Sequence, residues 1–143
     1  MKVFETGSYS TEDIHMTTGA DALNEATILA KKGRRVQLET VIGQDDAGKF
    51  IQAHCNDAGI MVRDVCIKKD EKTGMNIVLV EQDGTRSFLT NPHGTLRSLK
   101  VEHIQMPFPE SAMIVCFASI FVFPKIGPDK LVQIFSQAKM QGK

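Results

Sequence analysis

The chain has 143 residues, enough for one domain with its own core and no need of disulfides or a structural metal. Its 17 Lys and Arg balance 17 Asp and Glu, so there is no basic excess of the kind that marks nucleic-acid or anionic-membrane binding. Four histidines and three cysteines show no metal-ligand spacing, and no apolar stretch reaches the roughly 18 residues of a membrane span.

Residues 3–18 mix Thr, Ser and Glu with scattered apolar residues, the pattern of short half-exposed strands. From 21 to 32, Ala22, Leu23, Ala26, Leu29 and Ala30 fall on one helical face, and Gly33 closes the helix. Residues 36–43, "VQLETVIG", alternate and end in an apolar pair, which predicts a buried strand.

The next stretch, "GQDDAGKF" (43–50), has the Gly43, Gly48, Lys49 spacing of a phosphate-binding loop. Phe50 stands where such a loop needs a Mg²⁺-binding hydroxyl, and Asp45 and Asp46 bring negative charge into the anion site. The alternative is a helix start. Asp45 is a good N-cap, Asp46 suits the positive first turn, and Phe50, Ile51, His54, Cys55 and Ala58 make an apolar face that Gly59 ends. The second reading is preferred, with residues 60–67, "IMVRDVCI", as the next strand.

Residues 73–90 hold two alternating runs around Asp83-Gly84, which predicts a hairpin with a two-residue type I′ turn. After "NPHG" (91–94), Leu96, Leu99, Val101 and Ile104 predict a short helix, and Pro107 and Pro109 a break. The run "AMIVCFAS" (112–119) reads as a central strand of a parallel sheet. A last helix begins near Pro128 and turns Leu131, Val132, Phe135 and Ala138 inward. Cys55, Cys66 and Cys116 all lie on apolar patterns, and an odd number of buried thiols suits a soluble protein of the reducing cytosol.

Five landmarks in order carry a resemblance: Gly19, Asn24 and Ala26; Lys32-Gly33; Ile42-Gly43, Asp45 and Gly48; Thr73-Gly74; and the hairpin. Together they resemble the N-terminal half of the ribokinase-like (PfkB) carbohydrate kinases, over nearly the whole chain. The resemblance implies a three-layer α/β/α fold, incomplete here, with a small β-sheet lid. Lid strands would lie at about 3–18 and 73–90, and the α/β core at 19–67 and 95–143. It also implies transfer of the γ-phosphate of ATP to a sugar hydroxyl, with ATP and Mg²⁺ as the family's cofactors.

By position, Gly19 and Asn24 look like sugar-binding residues, since a helix N-terminus offers backbone N–H groups and an Asn amide both gives and accepts hydrogen bonds. Asn91, leaving the lid, is a further candidate, although an Asn before Pro is also an ordinary turn residue. Ala20 stands in place of the family's usual second Gly.

The family's opening strand and its Gly-x-Gly-Asp signature, which supplies the catalytic base, are absent. No catalytic residue is therefore assigned, and the chain reads as an N-terminal fragment, inactive alone and without tight ATP binding. The expected partners are a sugar or sugar acid and a second copy of the chain, through the lid or an exposed sheet edge, with no nucleic acid and no membrane. A non-catalytic sugar-binding or dimerisation module is the alternative.

Overall fold

The computed structural model describes Gly7 and residues 10–143, and among them it forms three α-helices and three two-stranded sheets. Residues 10–18 form no strand, and residues 3–6, 8 and 9 of the strand region expected at 3–18 lie outside the described residues.

Helix α1 (Asp21–Lys31) buries Leu23 and Ala26 and ends at Gly33, whose φ of 76° accommodates the left-handed residue of a helix terminus. Leu29 points outward, contrary to the predicted face, because the buried stripe is narrow and made mostly of alanines. Helix α2 (Asp46–Ala58) follows, capped by Asp45 at its start and by left-handed Gly59 at its end. Both caps are the ones read from the sequence.

The strands expected at 36–43 and 60–67 are each broken in two. Val36–Leu38 (β1) pairs in parallel with Ile60–Val62 (β3), and Ile42–Gly43 (β2) with Ile67–Lys68 (β4). Val36 faces Ile60 but Ile42 faces Ile67, so the second chain carries one residue more between the two ladders. A 3-10 turn at Asp64–Cys66 takes up that residue. The break on the first chain falls at Glu39, whose carboxylate receives the Arg63 guanidinium in a two-pronged bond and the side-chain amide of Gln37.

Two apolar clusters flank these strands. Leu23, Ala26, Leu38, Cys55 and Ile60 join α1, α2, β1 and β3, while Val41 packs with Leu99, Ile104, Phe108, Ile126, Ile134 and Ala138. The latter two come from helix α3 (Pro128–Met140), whose inward face is Leu131, Ile134 and Ala138. Val132 and Phe135, predicted inward, are exposed, because the core lies one step round the helix from the predicted stripe.

Strands β5 (Asn76–Val80) and β6 (Arg86–Thr90) form the expected antiparallel hairpin. Its turn differs from the two-residue type I′ form. Gly84 N–H donates to Glu81 O at 2.8 Å and Glu81 N–H to Thr85 O at 2.9 Å, with φ of 85° at Gly84 alone. This is a three-residue loop with a glycine bulge, favoured here because the Asp83 carboxylate accepts the Thr85 N–H at 2.8 Å without a positive φ at Asp83. Most of the hairpin's apolar side chains are exposed, among them Ile77, Val80 and Phe88.

Two predicted elements are not found. In place of a helix at 96–104 there are two single 3-10 turns, Thr95–Arg97 and Val101–His103. Residues 112–118 carry no strand pairing. Val115 and Phe117 lean on the α3 cluster while Met113, Ile114 and Cys116 are exposed, since a strand is defined by a hydrogen-bonded neighbour and none of the described residues supplies one. Cys116 is thus an exposed thiol, unlike buried Cys55 and Cys66.

Candidate functional site

The stretch with phosphate-loop spacing is filled by its own side chain. Asp45 accepts the Gly48 N–H at 3.0 Å as the N-cap of α2, and it also receives both donors of Thr73: the hydroxyl at 2.5 Å and the backbone N–H at 2.9 Å. The Thr73 hydroxyl in turn accepts the Gly43 N–H at 2.9 Å. A Cβ at Gly43 would collide with the backbone of Glu71, and one at Gly48 with the backbone of Gly43. Both glycines are thus required by close packing of chain on chain. The Thr73 hydroxyl first, and the Gly48 and Thr73 amides further, hold the Asp45 carboxyl below its ordinary range against the opposing effect of burial. Lys49 is exposed and pairs with Asp46 at 2.9 Å. The loop joins α2 to the base of the hairpin.

That base is braced by Asn91. Its Oδ1 accepts the Met75 N–H at 2.8 Å, and its Nδ2 donates to Thr73 O at 3.2 Å. Gly94 must be small because a Cβ there would strike the Asn91 amide. Buried Thr95 accepts the Gly74 N–H at 3.1 Å. Each end of the Asn91 amide still has one hydrogen-bonding position left. Asn91, Thr90 and Arg97 line an open hollow of about 250 Å³. A second hollow, of about 370 Å³, shares Pro92, Gly94 and Arg97 with it and reaches Lys125.

At the start of α1, Gly19 is exposed and the space beside its Cα is open. Ala20 has φ 72° and ψ 147°, a conformation that suits glycine, which is the physical reason a Gly would serve better there. Asn24, on the first turn, is exposed, and its side-chain amide has no hydrogen-bond partner among the described residues. Asp21 accepts a hydrogen bond from Ser119, which brings the end of the 112–118 run to this helix N-terminus. His54 of α2 braces the same region: Thr27 sends its hydroxyl proton to Leu23 O at 2.7 Å, so His54 Nε2 must be the donor to Thr27 at 2.9 Å. The opposite nitrogen lies 3.5 Å from the Thr18 hydroxyl.

Gly19 and Asn24 therefore share one helix terminus, whereas Asn91 stands at the base of the hairpin, and neither Gly19 nor Asn24 lines the two hollows. Thr73 and Ser119 were not singled out from the sequence as working residues. Thr73 is marked there only as a landmark beside Gly74, and Ser119 by nothing but its place at the end of an apolar run. Among the described residues no group of three His, Cys, Asp or Glu could hold a metal ion, and no helix is long and apolar enough to cross a membrane. The Asp45 loop, filled by its own contacts, does not fit the phosphates of ATP with Mg²⁺.

A family model described as pfkB family carbohydrate kinase matches residues 3–143. Among solved structures, a fructokinase from Xylella fastidiosa is 29% identical with a TM-score of 0.50, over 59% of this chain and 26% of that one. A candidate ribokinase II from E. coli in its apo form is 18% identical with a TM-score of 0.59, over 87% of this chain and 39% of that one, a likeness of fold alone. The chain thus spans well under half the length of either structure. The mixed α/β architecture is ribokinase-like, formed here as short strand pairs with no closed barrel among the described residues.

Proposed function

We propose, on the premise that this chain belongs to the pfkB family of carbohydrate kinases, that it forms the sugar-recognition side of an ATP-dependent kinase that phosphorylates a sugar hydroxyl. Asn24 carries this reading. An exposed amide with no partner among the described residues, one turn into α1 and beside the open backbone at Gly19, can give and accept hydrogen bonds with one hydroxylated ligand. Asn91 would add its remaining donor and acceptor from the base of the hairpin, which acts as the lid.

The chain alone would not turn over ATP. Supporting this are the filling of the Asp45 loop by its own contacts and an overlap with only 26% and 39% of the length of the two solved structures. No step is assigned to the nucleotide here. The chemistry left to these residues is to bind the sugar, to orient its hydroxyls and to exclude water under the lid. The setting would be cytoplasmic.

A second reading rests on the exposed hairpin. With Ile77, Val80 and Phe88 all more than half exposed, β5 and β6 would be covered by a second copy of the chain. Titration calorimetry with ribose and fructose tests the first reading: one of them should bind the wild-type chain, and Asn24→Ala should weaken that binding about tenfold or more, as loss of a group that hydrogen-bonds the ligand does. Unchanged binding in Asn24→Ala would remove Asn24 from the site.

A further inference from the structure

The protein's charges balance overall, but not around the second hollow. His93, Arg97 and Lys125 line it together with Ser98, and no carboxylate does. None of the three forms an ion pair among the described residues, whereas Lys49, Arg63 and Lys100 each do. The mounts of these side chains are fixed. Thr95 and Leu99, on either side of Arg97, and Ile126, next to Lys125, are all buried. Thr95 N–H donates to Lys72 O at 2.8 Å and Ile126 N–H to Phe123 O at 3.1 Å, so both turns are held by their own backbone. Arg97 also borders the hollow that Asn91 and Thr90 line, so the cationic hollow opens directly beside the amide and hydroxyl.

We propose that this hollow receives the anionic group of the substrate, which is therefore a polyhydroxylated molecule bearing a phosphate or carboxylate rather than a neutral sugar. The inference rests on the sugar-recognition reading above. Arg97 supplies a planar fork that matches either oxyanion, Lys125 a point charge from the facing turn, and the Ser98 hydroxyl a further donor. The hydroxylated part of the ligand extends toward Asn91.

The test uses the whole 143-residue chain at low ionic strength, with inorganic phosphate, ribose, ribose 5-phosphate and gluconate as probes. Inorganic phosphate should shift the amide resonances of His93, Gly94, Arg97 and Lys125. Ribose 5-phosphate or gluconate should bind about tenfold more tightly than ribose, with an advantage that salt erodes. The arm that binds more tightly tells phosphate from carboxylate. In an Arg97→Gln, Lys125→Gln double variant the advantage over ribose should vanish. Equal binding of all three, or an advantage that survives the double variant, overturns the proposal. If phosphate shifts the named amides and no sugar binds, the sugar reading fails and the anion site stands. If nothing shifts or binds, both fail.

Discussion

The Thr73 hydroxyl donates to the Asp45 carboxylate at 2.5 Å across 28 residues of sequence, and the same carboxylate caps helix α2. One side chain therefore fixes both a helix start and the first residue of the segment that leads into the hairpin. Asp45→Ala should cost about 1 kcal/mol for the cap alone and roughly 2–3 kcal/mol with both Thr73 bonds lost. Thr73→Val should cost less, Thr73→Ser should restore most of it, and Lys49→Ala should change nothing. Urea denaturation of the four variants measures this. Equal midpoints for Asp45→Ala and wild type would show that the cap carries no stability.

Acid should destabilise the fold in two stages. The His103 imidazole is held below its ordinary range, first by burial and then by Lys68, against the opposing pull of Glu102, whose carboxylate lies 3.9 Å from Nε2; its Nδ1 accepts the Lys100 N–H, and its buried Nε2 has no hydrogen-bond partner among the described residues. The folded state resists that proton, so stability falls as pH drops below about 6.5, where the unfolded chain takes it up. The Asp45 carboxyl is depressed, so its contribution is full above about 3.9 and is lost as pH falls through its lower folded value. Stability followed against pH should lose the upper step in His103→Gln and the lower one in Asp45→Asn. A step that persists in its own variant assigns it to another group.

Ala20 sits at positive φ, where a methyl group is strained by roughly 1–3 kcal/mol. Ala20→Gly removes that strain but gives the unfolded chain more freedom, so the net gain should be about 1 kcal/mol in chemical denaturation. Loss of stability in this variant would mean that the backbone at residue 20 is relaxed as it stands.

Asn91→Ala leaves the Met75 N–H and Thr73 O unpaired at the root of the hairpin. Amide exchange at Met75 should accelerate about tenfold or more, with little change in α1 and α2. Uniform acceleration through the chain would instead indicate global destabilisation.

Sedimentation velocity should show an assembly larger than the monomer at tens of micromolar, and Ile77→Lys with Phe88→Lys should return it to monomer without loss of helicity. A wild-type monomer at that concentration would mean that the exposed hairpin of this chain is not a contact surface between copies.

What could be read from the sequence was local. The caps at Asp45 and Gly59 and the hairpin at 73–90 each depend on residues a few positions apart, and all are present. The Thr73 partner of Asp45 was not legible, because nothing near either residue announces a contact so far along the chain. The 112–119 run was misread for a related reason. Its composition states that it prefers burial, but strand structure requires a neighbour, and the described residues offer only a side-chain surface on α3. On α3 itself, the face was misjudged because Val132 and Phe135 are as apolar as Ile134, and only the position of the core decides among them. Of the candidate site, the sequence placed Asn24 on the first turn of α1, where its amide is exposed, while the bracing bonds of Asn91 follow from the geometry of Met75 and Thr73 and were not legible in it.

The unequal chain lengths between the two parallel ladders bear on which changes of length the protein can tolerate. Side chains alternate along a strand, so the residue absorbed at Asp64–Cys66 sets which way everything after it faces. Deleting one residue there would bring the two segments to equal length and turn Cys66, fully enclosed beside Glu39 and His103, toward the opposite side. One residue added to the Gln82-Asp83-Gly84 loop would only lengthen an exposed tip. Insertions and deletions should therefore accumulate at the tip and be purged at the turn, which serves as the fold's phase marker.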